Sequence, residues 1–219
     1  EPLARLGKSE GDGGDGTRKR VTKDTRMAKT TSTDADTTTL PIEARLEEIR
    51  EALDERSRAM LVAEPGAGKT TRVPLALLDA EWCRGQRLLL LEPRRVAARL
   101  AAARMADTLS EPVGKTVGVR MRGESRVSDR TRLEVITQGV LTRMLQDNPL
   151  LEGIAGIIFD EFHERSLEGD LGLALALDAQ TVRDDLRLLV MSATLDVEAL
   201  AAALGSETPV IDCPGRQHP

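Results

Sequence analysis

Aromatic residues are almost missing from this chain: Trp82, Phe159 and Phe162 are the only three, and tyrosine is absent. A core therefore has to be assembled from Leu, Val, Ile and Ala. A platform of aromatic rings for stacking single-stranded bases is excluded, so any nucleic-acid contact has to run through backbone phosphates. Cysteine is scarce as well. Cys83 and Cys213 stand far apart without metal-type spacing, which reads as two small buried or half-buried thiols and requires no oxidising compartment. No apolar run approaches the ~20 residues of a membrane span, and no signal-type segment opens the chain. A cytoplasmic protein without a membrane partner is expected.

What is present has the balance of a soluble globular protein, with 40% apolar and 31% charged residues. The 219 residues suffice for one sizeable domain with extras and are too few for two large ones. The formal charge of −5 gives no global attraction for a polyanion, so a nucleic-acid partner would need a locally basic groove.

Composition divides the chain. Residues 1–39 are polar, glycine-bearing and Thr/Asp-rich, and bury too little apolar surface to offset the entropy of ordering; a disordered tail is expected. Arg18, Lys19 and Arg20 read as a solvated basic patch. Met27 offers an alternative start, which would leave residues 1–26 outside the native protein. The folded domain is expected over 40–212, with 213–219 beginning a linker.

Pro41 opens a helix whose apolar residues Ile42, Leu46, Ile49 and Leu53 recur at helical spacing. Short apolar runs then alternate with helical segments. Strands are predicted at Ala59–Ala63, Arg87–Glu92, Val117–Arg122, Arg132–Thr137, Ile154–Asp160 and Leu186–Ser192. Helices are predicted at Thr70–Asp79, Arg94–Leu109, Gly139–Gln146, Leu167–Gln180 and Val197–Leu204. Uninterrupted runs such as Leu88–Leu91 suit strands covered on both faces. The alternation predicts an α/β fold, a three-layer, mainly parallel sheet with helices on both faces. Such sheets bind ligands at the carboxyl ends of their strands.

Two motifs lie at such ends. The first predicted strand runs into Glu64-Pro65-Gly66-Ala67-Gly68-Lys69-Thr70-Thr71. Gly66 and Gly68 let the loop turn its N–H groups, including that of Ala67, toward an anion, and the next helix offers its positive N-terminus. Lys69 would reach the β- and γ-phosphates of ATP, and the Thr70 hydroxyl would ligate Mg2+, with Thr71 beside it. The strict phosphate-loop pattern has glycine where this chain has Ala63. The second motif ends the strand at Ile154 in Asp160-Glu161. Asp160 can share the metal with Thr70, and Glu161 can orient and deprotonate an attacking water, which favours ATP hydrolysis over transfer to a small acceptor. The two pairs are expected to converge at adjacent strand tips around one metal–triphosphate.

Asp160-Glu161-Phe162-His163-Glu164-Arg165 resembles motif II of the DEAH/RHA helicases of superfamily 2, with Phe162 where most members carry Ala; the surrounding text looks like the bacterial HrpB-type subgroup. The resemblance extends through Ala63–Thr71, Glu92–Ala98, Thr137–Leu141 and Ser192-Ala193-Thr194-Leu195, in family order, over roughly residues 42–219. It implies a RecA-like domain, with ATP and Mg2+ as ligands and catalytic roles for Lys69, Asp160, Glu161 and His163. It implies that Arg104 stacks on the base, that Arg94, Arg95, Thr137 and Gly139 hold a single-stranded nucleic-acid backbone, RNA ahead of DNA, and that Ser192 and Thr194 couple hydrolysis to movement.

Helicases of this class carry a second RecA-like domain whose arginines reach the γ-phosphate. No such motif follows Thr194, and Pro214–Pro219 resembles the linker into that domain, so a partial chain is expected. Since such an arginine contributes roughly 10³–10⁵ in rate, these 219 residues alone are expected to bind ATP and turn it over very slowly. Three alternatives stay open on sequence: an ATPase that remodels nucleic acid without separating strands, a small-molecule kinase, and a non-catalytic ATP-binding domain. The intact Glu161 disfavours the last.

Overall fold

The computed structural model describes residues 40–194 and 197–214, without the side chains of residues 197–199. The expected tail at 1–39, Leu195 of the last motif, and residues 215–219 of the expected linker lie outside the described residues.

The strands are β1 (Arg58–Ala63), β2 (Arg87–Glu92), β3 (Val117–Met121), β4 (Glu124–Arg126), β5 (Leu133–Thr137), β6 (Ile154–Phe159), β7 (Arg187–Ser192) and β8 (Val210–Cys213). Between them run α1 (Leu46–Arg56), α2 (Lys69–Leu77), α3 (Arg95–Thr108), α4 (Gln138–Asp147), α5 (Leu167–Gln180) and α6 (Val197–Leu204). The strands form one sheet in the order β4-β3-β5-β2-β6-β7-β1-β8. Every pairing is parallel except the β3–β4 hairpin.

Alternation along each strand divides the core in two. Leu88 and Leu90 of β2 face one side, packing with Leu53 of α1, Val73 of α2 and Met105 of α3. Leu89 and Leu91 face the other, packing with Leu141 of α4, Ala176 of α5 and Leu204 of α6. This is the expected three-layer α/β arrangement, with α1–α3 on one face and α4–α6 on the other. All four β2 leucines are buried, and each contributes about 1.5–3 kcal/mol by leaving water. The near-absence of aromatic rings is met by these stacked aliphatics, and Cys83 and Cys213 are both buried with free thiols. Among the described residues no helix is long and apolar enough to cross a membrane.

Two strands escape a reading by periodicity. β4 is only Glu124-Ser125-Arg126, too short and polar to carry a signal. β8 alternates exposed Val210 and Asp212 with buried Ile211 and Cys213 and pairs with β1. The helix opened by Pro41 begins as a 3-10 turn, Pro41–Arg45, before the α-helical hydrogen bonding of α1. The expected adjacency of the two motif-bearing strands also fails: β7 lies between β1 and β6.

Candidate functional site

The loop between β1 and α2 turns through two left-handed glycines, Gly66 at φ 85° and Gly68 at φ 92°. Only glycine takes this geometry without strain, and at Gly68 a Cβ would stand 2.6 Å from a Leu40 methyl. The turn delivers Lys69, the first residue of α2, into the protein with only 3% of its surface exposed.

A loop of this shape reaches across β7 to the tip of β6. The Thr70 hydroxyl donates to Oδ2 of Asp160 at 2.5 Å, and Lys69 Nζ lies 2.9 Å from Oε1 of Glu161. The two pairs thus converge although their strands are not neighbours, because the loop and the first turn of α2 arch over the intervening strand tip. Asp160 is buried at the end of β6 and accepts a further bond from the Glu161 N–H at 2.8 Å. Glu161 itself sits at φ 49°, a left-handed conformation that turns the chain sharply after the strand.

A third acid joins them. Glu92 ends β2, is 2% exposed, and is pushed up to about 8, first by burial and then by the charge of, and hydrogen bond with, Asp160. Burial likewise raises Asp160. Three carboxyl groups crowd the single ammonium of Lys69 in a largely dry site, and burial together with Asp160 keeps the proton on Glu92 near neutral pH, so the excess of negative charge is small. Oxygen donors with net negative charge suit a hard divalent cation such as Mg2+. Among the described residues no three His, Cys, Asp or Glu side chains are placed to chelate a metal alone. A cation held by Thr70 and Asp160 would therefore complete its shell with water and phosphate oxygens, as Mg2+ commonly does.

These groups open onto a cleft of about 460 Å³ lined by Leu40, Gly66, Gly68, Thr71, Leu100 and Arg104, among others. Arg104 is exposed on α3, facing the phosphate loop across this cleft. Ala67 is buried, and its carbonyl accepts from the Ile42 N–H, fixing the loop against the Pro41 turn.

His163 lies in the 3-10 turn Phe162–Glu164 that follows Glu161. Its Nδ1 accepts a bond from the Ala193 N–H at 3.2 Å, so in the neutral ring Nε2 carries the proton. Nδ1 is also 3.4 Å from Oε2 of Glu161. The turn after β6 is thereby tied to the Ser192–Thr194 turn after β7. That second turn closes on itself, Ser192 Oγ donating to the Thr194 carbonyl at 3.0 Å and accepting from its N–H at 3.3 Å.

Arg94, Arg95, Thr137 and Gly139 form a separate group at the neighbouring tips of β2 and β5, where Glu92 and Thr137 are register partners. Arg94 and Arg95 are exposed at the start of α3. Gly139 is exposed in the first turn of α4, where a Cβ would meet nothing within 4 Å. Neither packing nor backbone strain requires glycine there, and in a helix it costs about 1 kcal/mol relative to alanine. It leaves the N-terminus of α4 uncovered at that point.

Glu92, Gln138 and Glu164 lie inside the motifs without a role assigned from sequence, and Leu40 and Leu100 in the cleft and Ser166 between the two groups lie outside them. Glu92 carried a usable signal, an acid closing an otherwise apolar strand. The others meet their partners only in the folded chain.

A glycine-turned loop whose first helical residues meet buried Asp160 and half-buried Glu161 across one strand, with further motifs at the neighbouring strand tips, is the arrangement that the resemblance to helicases implies. The family model of the DEAD/DEAH box helicases matches residues 44–202, and the chain belongs to that family. It is 52% identical over 181 residues to the ATP-dependent RNA helicase HrpB of Escherichia coli, covering 82% of this chain and 22% of that one. It is 35% identical over 182 residues to an ATP-dependent RNA helicase HrpA homolog of Haemophilus influenzae, covering 82% of this chain and 14% of that protein. A crystal structure of the E. coli DExH-box NTPase HrpB superposes with a TM-score of 0.78 at 52% identity, over 83% of this chain and 22% of the other. The chain thus spans about a fifth of the length of HrpB.

Proposed function

We propose that this chain is the ATP-binding half of an ATP-dependent helicase acting on nucleic acid, RNA ahead of DNA, in which hydrolysis is coupled to movement along the strand. The observation that carries the reading is the convergence of Thr70 with Asp160 and of Lys69 with Glu161, with Lys69, Thr70 and Glu161 lining one cleft. The names of the relatives support RNA as the track.

The N–H groups from Gly66 to Thr71 and the N-terminus of α2 hold the phosphates. Lys69 exchanges Glu161 for a phosphate oxygen, and the freed Glu161 carboxylate accepts a proton from the attacking water. Thr70 and Asp160 hold Mg2+, which when bound neutralises charge on the triphosphate. Arg104 packs against the base, a contact tolerant of its identity. Arg94, Arg95, Thr137 and Gly139 take the nucleic-acid backbone through phosphate contacts, which fix position without reading sequence. His163 carries the state of the nucleotide site to Ser192 and Thr194. A second RecA-like domain supplies arginines to the γ-phosphate, consistent with the fifth of a relative that this chain spans. The setting is cytoplasmic, in keeping with the free thiols of Cys83 and Cys213.

Calorimetric titration of the intact protein with Mg2+ and a non-hydrolysable ATP analogue tests this reading. Lys69→Ala should weaken binding by at least tenfold and abolish RNA-stimulated hydrolysis; undiminished binding would overturn it.

A further inference from the structure

The 3-10 turn after β6 is bracketed by two strained residues, Glu161 at φ 49° and Arg165 at φ 37°. Non-glycine residues in this region persist only when surroundings hold them, and they gather at switching segments. Arg165 pairs with Asp170 at 3.0 Å and His163 accepts from the Ala193 N–H, and two further ion pairs tie the turn to groups outside it. At one end Glu161 grips Lys69 at 2.9 Å. At the other, Glu164 takes the Arg94 guanidinium in a two-pronged contact, Nη2 to Oε1 at 2.8 Å and Nε to Oε2 at 3.1 Å. Ser166, just beyond the turn, donates to the Gln138 side chain at 2.9 Å, tying the same segment to the start of α4.

Each carboxylate occupies a cation that the proposed function gives to a ligand: Lys69 to the nucleotide phosphates, Arg94 to the nucleic-acid backbone. A phosphate presents the same forked acceptor geometry to a guanidinium as a carboxylate does. The Arg94 side chain is 72% exposed and Glu164 29% exposed, so this pair is weak enough for a phosphate to displace.

We propose that the Glu161–Arg165 turn is a double latch in which Glu164 competes with an RNA phosphate for Arg94, so that track occupancy releases one end of the strained segment whose other end carries Glu161. Glu164 is a positioning residue, acting through Arg94. This inference rests on the helicase reading of Arg94 and Lys69. Two ligands that each loosen one end of a shared strained segment favour one another's binding, and the coupling is reciprocal.

The test measures binding of a fluorescein-labelled oligouridylate to the intact protein, with and without Mg2+ and a non-hydrolysable ATP analogue. Glu164→Gln should tighten nucleotide-free RNA binding about two- to fivefold, the range for an exposed ion pair. It should also lower the ratio of RNA affinities with and without analogue toward one. Glu164→Asp should move both in the same direction by less. Arg94→Ala should weaken RNA binding, and Glu164→Gln should add nothing in that background. A gain in affinity cannot come from misfolding, so a structural role alone would not produce this pattern. Unchanged or weaker RNA binding in Glu164→Gln, with Arg94→Ala still deleterious, overturns the latch and leaves the helicase reading intact. If Arg94→Ala leaves RNA binding unchanged, the track assignment falls and the latch falls with it.

Discussion

The ammonium of Lys69 and the carboxylate of Glu161 face each other at 2.9 Å, the lysine side chain only 4% exposed. A buried lysine needs a counter-charge, and in the absence of phosphate Glu161 provides it. The same carboxylate can therefore serve as a base only after a phosphate has taken its place on Lys69. Glu161→Gln removes the base but keeps the shape. We expect the intact Glu161→Gln protein to retain bound Mg2+·ATP and to lose turnover by at least a hundredfold, measured by filter retention of labelled nucleotide alongside phosphate release. Turnover within a few-fold of the unaltered protein would remove Glu161 from the chemistry.

The acids around Asp160 should give the nucleotide-free protein a distinctive pH dependence. Glu92 is pushed from its ordinary 4.5 up to about 8, by burial first and then by Asp160. An acid with a folded pKa above its unfolded one binds its proton more tightly in the native state. Stability is therefore greatest below the ordinary value, falls as pH rises through the window from 4.5 to about 8, and levels off above it. Asp160 is raised in the same direction. Thermal unfolding without Mg2+ or nucleotide between pH 5 and pH 8.5 should show a falling Tm, and Glu92→Gln, neutral throughout, should flatten the fall. A Tm that rises with pH would contradict the charge arrangement.

Gly68 combines a left-handed backbone with a Leu40 methyl where a Cβ would go. The methyl is the end of a flexible side chain and can shift, but Ile42 Cγ2 and Leu40 Cβ would each also stand at 3.3 Å, so contact adds to the backbone cost that Gly66 shares. Gly68→Ala should destabilise the fold by about 1–2 kcal/mol, read from denaturant unfolding. It should also weaken nucleotide binding by more than Gly66→Ala, at which a Cβ meets nothing within 4 Å. Equal effects of the two substitutions would mean that only the shared positive φ matters.

Much of the fold was legible because its strands are long apolar runs ending in chemistry. Leu88–Leu91 and Ile154–Phe159 could be read as doubly covered strands, and Glu92 and Asp160 mark their carboxyl ends. β4 and β8 were not legible: three polar residues carry no period, and Val210–Cys213 becomes a strand only through its pairing with β1. The order of the strands also lies outside local pattern, since β7 separates β1 from β6 through contacts distant in sequence. In the candidate site, Lys69, Thr70, Asp160 and Glu161 announce themselves by type and spacing. The Arg94–Glu164 pair does not, because its partners stand 70 residues apart and neither motif points to the other. Phe162 illustrates a middle case. Its departure from the usual alanine is visible in sequence, but its edge-to-face contact with buried Phe159, centroids 6.2 Å apart, comes from the fold.

Everything in the mechanism depends on Thr70 and Asp160 acting on the same ion. A double-substitution cycle measures this directly: Mg2+-dependent affinity for an ATP analogue in the intact protein, in Thr70→Ala, in Asp160→Ala and in the combined variant. Two ligands of one metal should each abolish most of the Mg2+-dependent gain, with the pair losing little more than either single change. Losses that simply add would place the two residues in independent roles and contradict the account.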